Sequence, residues 1–188
     1  CVEAALKTPS TGRLFALNSY ENRVYEVELE EHPKVVIKFY RPGRWSKEAI
    51  QEELDFLKEI QNLEIPVAAP LCHGVWEGII YAIFPKYMGQ VLPELNDDQI
   101  SRLGRLIGRL HVLGTAKKTK HRPVFTPENL GFKSLRYLNA SNWIPENLKD
   151  FYGKQLPEIL KKVEARWMNV SPSLQRIHGD LHVSNLLW

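Results

Sequence analysis
The apolar residues of this chain repeat with one period over its first part and with another over most of the rest. Residues 14–29 are rich in β-formers, Val24, Tyr25 and Val27 among them, and Asn18-Ser19-Tyr20-Glu21-Asn22 reads as a turn between two extended runs. His32-Pro33 makes a second turn. Val35-Val36-Ile37-Lys38-Phe39-Tyr40 then reads as a buried strand, apolar on both faces except at Lys38. Residues 71–76 and 78–84 predict a hairpin with a strongly apolar second strand, Ile79-Ile80-Tyr81-Ala82-Ile83-Phe84. One helix interrupts these strands. Over residues 46–61, at about 100° per residue, Ile50, Leu54, Leu57 and Ile60 share one arc, and Ser46 is a good N-cap.

Helical spacing dominates later. Residues 97–113 carry an apolar stripe of Ile100, Leu103, Leu106, Ile107 and Leu110 behind Asp97 and Asp98, with Gly114 expected as the cap. Residues 123–143 predict turns and a short helix. Residues 145–167 predict one further helix through Leu148, Phe151, Leu156, Ile159, Leu160 and Val163, and residues 169–173 a loop. The final Leu186-Leu187-Trp188 reads as a buried strand, and a short helix is expected near Val2. The Lys117-Lys118-Thr119-Lys120-His121-Arg122 run reads as a solvated surface loop, with docking of an acidic partner as the alternative.

Three polar features do not fit a purely structural pattern. Glu53 falls inside the apolar arc of its helix, between Leu57 and Ile60, whereas Glu52, Asp55 and Glu59 fall outside it. A carboxylate there needs a partner, because burying it alone is very costly. Lys38, on the preceding strand, is the natural one. On its own, Lys38 would equally be a lysine stretching from a strand to water; together the two match the Lys–Glu pair that positions nucleotide phosphates in kinases. The third feature is a spacing. In His178-Gly179-Asp180-Leu181-His182-Val183-Ser184-Asn185, Asp180 and Asn185 are separated by four residues. A kinase catalytic loop has this spacing, its Asp taking the proton of the attacking hydroxyl and its Asn binding a metal ion. Asp and Asn are also common turn residues, so the spacing alone leaves an ordinary turn open.

Composition narrows the classes. The 188 residues are 44% hydrophobic and 25% charged, enough for one large domain or a small two-lobed one and unlike a disordered chain. A net charge of +3 suits a nucleotide ligand but is too weak to argue for nucleic acid. The two cysteines, Cys1 and Cys72, show neither metal-ligand nor disulfide-framework spacing, which suits a reducing cytoplasm. No apolar run approaches the ~20 residues of a membrane span.

The His178-Gly179-Asp180-x-His182-x-x-Asn185 stretch resembles the catalytic loop of the aminoglycoside phosphotransferase and choline kinase superfamily, and Gly108-Arg109-Leu110-His111 resembles one of its helix ends. It departs at Val183-Ser184, where that superfamily usually has Pro-Gly or Ala-Gly, and it has Gly179 where protein kinases usually have the Arg that reads a phosphorylated activation loop. Further stretches are similar to the bacterial stress response kinase A family: Ala16 to Tyr25, Val36-Ile37-Lys38-Phe39-Tyr40-Arg41-Pro42, Arg44-Trp45 and Ile65-Pro66-Val67-Ala68-Ala69-Pro70. The likeness runs in the same order from about Val2 to Trp188.

This resemblance implies an α+β, protein-kinase-like fold of the aminoglycoside phosphotransferase type. An antiparallel β N-lobe would occupy residues 1–88, and a partial helical C-lobe residues 89–188. It implies a cytoplasmic serine/threonine protein kinase using ATP and Mg²⁺ and acting as a monomer on a protein hydroxyl, with neither nucleic acid nor membrane as partner. Asp180 resembles the proton acceptor, Asn185 a magnesium ligand, Ser19 a position contacting ATP, and Lys38 and Glu53 the phosphate-binding lysine and its orienting partner. Because the sequence starts at Cys1 and stops soon after the loop, it is expected to be a piece of a longer protein. The counterpart of the second metal-binding Asp is expected beyond Trp188, so residues 1–188 alone should bind nucleotide weakly and turn over little. A kinase of small molecules such as homoserine, choline or aminoglycosides, or a non-catalytic nucleotide-binding pseudokinase, remains open.

Overall fold
A computed structural model describes residues 1–188. Contacts divide the chain into two compact units, one of Cys1–Arg122 with Gln175–Trp188 and one of Pro123–Leu174. In the first unit, strands β1 (Ser10–Leu17), β2 (Arg23–Leu29), β3 (Val35–Phe39), β4 (Cys72–Trp76) and β5 (Ile79–Pro85) form an antiparallel sheet in the order β1-β2-β3-β5-β4. Helix α1 (Val2–Leu6) precedes the sheet, and α2 (Lys47–Asn62) follows β3.

Strand alternation sends successive side chains to opposite faces, and the core is built on that. Val35 and Ile37 pack with Val27, Leu29, Tyr81, Ile83 and Val2 of α1 in one buried cluster. Tyr40 and Ala82 pack with Ile50 and Leu54 of α2 in the other, with Trp45, Leu57, Ile80 and Phe84 against it. Leu54 is fully buried, a gain of about 1.5–3 kcal/mol over an exposed side chain. Lys38, in register with Val24 and Ala82, takes the α2 face by the same alternation. The β4–β5 register is set by a two-residue turn in which Glu77 and Gly78 both have positive φ, the twist that suits a tight hairpin.

The ends of α2 are both satisfied. The Ser46 hydroxyl accepts the Ala49 N–H at 3.1 Å, and Arg109 donates to the Leu63 carbonyl at 2.6 Å, one residue past the last turn. Helix α3 (Asp97–Ala116) opens on a reciprocal capping box between Asn96 and Gln99. It does not stop at Gly114 as expected from sequence. Gly114 lies inside the helix, buried, because the backbone of Arg176 comes so close that a Cβ there would meet the Arg176 carbonyl oxygen at 2.2 Å. The expected buried strand at residues 186–188 is also not a member of the sheet. Trp188 exchanges two backbone hydrogen bonds with Gln90, at 3.0 and 3.1 Å, and with pairing on that one side Leu187 stays 56% exposed.

In the second unit, a wide π-type turn at Pro127–Phe132 runs into α4 (Lys133–Ala140), and Leu160 of α5 (Leu156–Val170) packs where a Cβ on Gly131 would lie. The helix predicted over 145–167 forms as one continuous helical run that opens on a 3₁₀ turn at Glu146–Leu148, widens to a π turn at Phe151–Gln155 and continues as α5. Pro157 is the physical reason for the widening. It has no N–H to offer the carbonyl of residue 153, and its ring crowds that carbonyl, so the turn before it widens and the Leu156 N–H bonds the Phe151 carbonyl instead.

Candidate active site
The first pair of candidate residues meets across β3 and α2. Lys38 Nζ lies 2.9 Å from Glu53 Oε1, and both side chains are about three-quarters buried. The sheet aims Lys38 at the helix, and helical spacing puts Glu53 among the apolar residues that face the sheet. The pairing expected from the two periodicities is therefore made.

Glu53 has two further partners that local sequence patterns did not reveal. The Tyr40 hydroxyl donates to the same oxygen, Oε1, at 2.9 Å, and Arg122 Nη1 donates to Oε2 at 3.1 Å. Burial alone would raise the Glu53 carboxyl, but Lys38 foremost, with Arg122 and Tyr40, more than offsets that and holds it below the ordinary glutamate range. Burial, and then the charge of Glu53, push the Tyr40 phenol far above the usual range, so its hydroxyl stays a donor. Lys38 Nζ also sits 4.3 Å from the centroid of the Tyr40 ring, a favourable cation–π geometry.

The basic run 117–122 is the surface loop expected, with Lys117, Lys118, Lys120 and His121 exposed, but it is tied down. The backbone N–H groups of Lys120, His121 and Arg122 all donate to the Glu52 carboxylate at 2.7–3.0 Å. Lys117 pairs with Glu59 at 2.6 Å. The acidic face of α2, which periodicity alone assigns to solvent, is what the run docks on.

Ser19 lies in the β1–β2 turn, where its hydroxyl accepts the Asn22 N–H at 3.3 Å. That turn is tied to the segment after β3: the Asn22 side chain accepts the Arg41 N–H at 3.3 Å, and Glu21 pairs with Arg44 at 2.8 Å.

The second pair lies in the turn after Arg176. Gly179 has φ +80°, a conformation that strains any residue with a Cβ. His178 Nδ1 accepts the Asp180 N–H at 3.2 Å, so that nitrogen carries no proton. A 3₁₀ turn at Val183–Asn185 swings Asn185 back, and its amide nitrogen donates to the Asp180 carbonyl at 2.8 Å and to Asp180 Oδ2 at 3.2 Å. His182 Nε2 lies 3.1 Å from the same amide nitrogen. Asp180 remains 79% exposed, open to an incoming group. No hydrogen bond or ion pair joins the Lys38–Glu53 pair to the Asp180–Asn185 pair, or either of them to Ser19.

Arg176, four residues before Asp180, is a further residue that sequence reading missed. Its side chain is only 8% exposed; Nη1 pairs with Glu59 at 2.8 Å, Nη2 donates to the Leu113 carbonyl at 3.1 Å, and its guanidinium lies 4.2 Å from the Phe56 ring centroid. Its N–H donates to the Gly114 carbonyl at 3.2 Å. The segment leading to Asp180 is thus anchored on both α2 and α3.

No group of three or more His, Cys, Asp or Glu side chains is gathered as a metal cage. Mg²⁺ in nucleotide enzymes commonly takes one or two side chains and completes its shell with phosphate oxygens and water. Asn185 fits such a set: its amide nitrogen makes all of its side-chain contacts, which leaves Oδ1 for a cation beside the Asp180 carboxylate.

Comparison with known proteins adds family and fold. The sequence profile of the phosphotransferase enzyme family (APH) matches residues 13–188. Stress response kinase A of Escherichia coli (strain K12) is 36% identical over 180 residues, which cover 93% of this chain and 55% of that protein. The serine/threonine protein kinase RdoA of Salmonella typhimurium is 38% identical over the same coverage. The chain thus spans about half the length of the curated relatives it matches. Among solved structures, the amicoumacin kinase hAmiN in complex with AMP-PNP, Ca²⁺ and Ami superimposes with a TM-score of 0.71 at 17% identity, covering 100% of this chain and 59% of that one. That likeness is one of fold, and it is the α+β, protein-kinase-like fold expected from sequence.

Proposed function
Because the chain belongs to the phosphotransferase enzyme family (APH), we propose that it forms part of an ATP-dependent serine/threonine protein kinase of the stress response kinase A type. The observation that carries this reading is the Lys38–Glu53 pair at 2.9 Å between β3 and α2. A lysine held by a buried carboxylate is pre-aimed, so little freedom is lost when it takes up a phosphate. The names of the relatives favour a protein hydroxyl as the acceptor.

In this mechanism the Lys38 ammonium binds the α and β phosphates of ATP, and Glu53 orients it. The Ser19 hydroxyl, in the β1–β2 turn, contacts the nucleotide. The Asp180 carboxylate accepts the proton of the serine or threonine hydroxyl as that oxygen attacks the γ-phosphorus. Asn185 keeps its amide nitrogen on Asp180 and would offer Oδ1 to Mg²⁺. Bound Mg²⁺ supplies charge neutralisation at the phosphate oxygens. Residues 1–88 serve as the nucleotide-binding lobe, and residues 89–188 as the helical part that carries the catalytic loop. The protein acts in the cytoplasm as a monomer. No helix is long and apolar enough to cross a membrane, and the net charge of +3 gives no footprint for nucleic acid.

The test, made on the full-length protein because residues 1–188 alone are expected to turn over little, is phosphate transfer from ATP with Mg²⁺ to generic protein acceptors and to a panel of small alcohols, with Asp180→Asn alongside. Protein phosphorylation that falls by about 10²–10⁴-fold in the variant, with ATP binding kept, is the expected result. Transfer to small alcohols alone would replace the protein-kinase reading with a metabolite kinase. ATP binding without transfer to any acceptor would replace it with a pseudokinase.

A further inference from the structure
The carboxylate of Glu53 carries two cations on different oxygens. Lys38 and the Tyr40 hydroxyl share Oε1, and Arg122 holds Oε2. Arg122 itself is fixed on three sides. Its guanidinium lies 4.6 Å from the centroid of the Trp45 ring, which packs against the Tyr40–Leu54 cluster, its Nη1 is on Glu53, and its backbone N–H donates to Glu52 at 2.9 Å. The Arg122 side chain is 31% exposed, so water does not fully screen it from the carboxylate.

We propose that Arg122 is a positioning residue for Lys38, acting through Glu53. By occupying Oε2 it stops the carboxylate from turning and confines Lys38 to a single oxygen. It also takes up part of the negative charge, so that Lys38 is aimed by Glu53 without being sequestered by it. A planar guanidinium suits this task better than an ammonium, because its fork fixes the orientation of the oxygen it holds. Without Arg122, both carboxylate oxygens turn to Lys38, and the ammonium is held away from a phosphate. This inference rests on the proposed role of Lys38 at the phosphates for its consequence, but not for its geometry.

Two readouts separate those parts. The first is the rate at which an amine-reactive acylating reagent modifies Lys38 in nucleotide-free protein, followed by mass spectrometry. The second is ATP binding by calorimetry, both readouts being made on the full-length protein. In Arg122→Gln, Lys38 modification is expected to slow by about fivefold and ATP affinity to fall by a similar factor, with Arg122→Lys restoring only part of each. In a Glu53→Gln background, adding Arg122→Gln should change the modification rate less than about twofold, because the bridging carboxylate is gone. The exposed Lys118, which makes no ion pair, provides the control: Lys118→Gln should leave both readouts unchanged. Equal slowing in both backgrounds, or no slowing in either, would overturn the proposal. If the modification rates behave as expected but the wild-type protein binds no ATP, the tie between Arg122 and Lys38 stands and the nucleotide reading falls.

Discussion

Gly114→Ala sets two known effects against each other, and the geometry decides between them. In a solvent-facing helix interior, alanine is better than glycine by up to about 1 kcal/mol. Gly104 and Gly108 of the same helix have nothing within 4 Å of an added Cβ, so Gly104→Ala and Gly108→Ala should collect that gain. At Gly114 the added Cβ would lie 2.2 Å from the Arg176 carbonyl oxygen and 3.2 Å from its carbonyl carbon. Those are backbone atoms, so relief requires the 176 segment to move by about 1 Å. The movement strains the Arg176 N–H bond to the Gly114 carbonyl and the guanidinium bond to the Leu113 carbonyl, each worth about 1 kcal/mol. Overpacking adds about 1–3 kcal/mol. Set against the helix-propensity gain, the net is a loss of about 2–4 kcal/mol. Urea denaturation followed by tryptophan fluorescence measures it. With a slope of about 1–3 kcal/mol/M, the midpoint should fall by on the order of 1 M, while the other two variants move slightly upward. Phosphate transfer should fall further than stability explains, because the displaced segment leads within four residues to Asp180. A Gly114→Ala protein as stable as Gly104→Ala would refute the close approach and the anchoring built on it.

Two other outcomes follow from the carboxylates of α2. Tyr40→Phe keeps the ring under Lys38 but removes the donor to Glu53 Oε1; it should lower stability by about 1–2 kcal/mol in the same denaturation assay, and an unchanged midpoint would contradict the bond. The carboxyls of Glu52, Glu53 and Glu59 all sit lower than ordinary in the folded chain: burial opposes this, but for Glu52 the backbone N–H groups of 120–122 outweigh it, for Glu53 the charges of Lys38 and Arg122, and for Glu59 the bonds from Lys117 and Arg176. A depressed folded-state value means that their stabilisation is complete above the ordinary glutamate value of 4.5 and is lost as pH falls through the lowered values. Thermal melting from about pH 7 to about pH 3 should therefore be flat at first and drop steeply below about 4.5; a midpoint that stays level to the acid end would show that these carboxylates do not stabilise the fold.

What could be read from the sequence was what local period encodes. A period of 2 placed Lys38 in a strand, and a period of 3.6 placed Glu53 on the apolar side of a helix. Those two facts suffice to predict their meeting, because the strand and the helix are adjacent in the chain. The Asp180–Asn185 contact was equally local, spanning one turn. The elements that were missed each depended on one residue overriding a smooth pattern. Pro157 widened one turn of a helix that otherwise ran on as its apolar spacing predicts, and Gly114 looked like a stop although it serves a close approach. In both cases the period was right, and backbone chemistry decided the outcome.

Arg122 and Arg176 were illegible for a different reason. Arg122 meets Glu53 across 69 positions of sequence, and Arg176 reaches α2 and α3 from the far end of the same compact unit. No period relates an arginine in a basic run to a carboxylate that distant. Charge counting reads Lys117-Lys118-Thr119-Lys120-His121-Arg122 as a solvated run, which its mostly exposed side chains are, and gives no sign of the contacts made by Arg122 and the backbone. The clue lay on the other partner. Helix α2 presents Glu52, Glu53 and Glu59, while only one lysine on the neighbouring strand was in view to balance them. A partly buried carboxylate must be neutralised by something, and three of them on one helix require more cations than β3 supplies. The surplus is met by the 117–122 run and by Arg176. Helix α2 is thereby the common anchor of the lysine proposed to hold phosphate and of the segment that carries Asp180, so the two halves of the proposed chemistry share one rigid support although they touch nowhere directly.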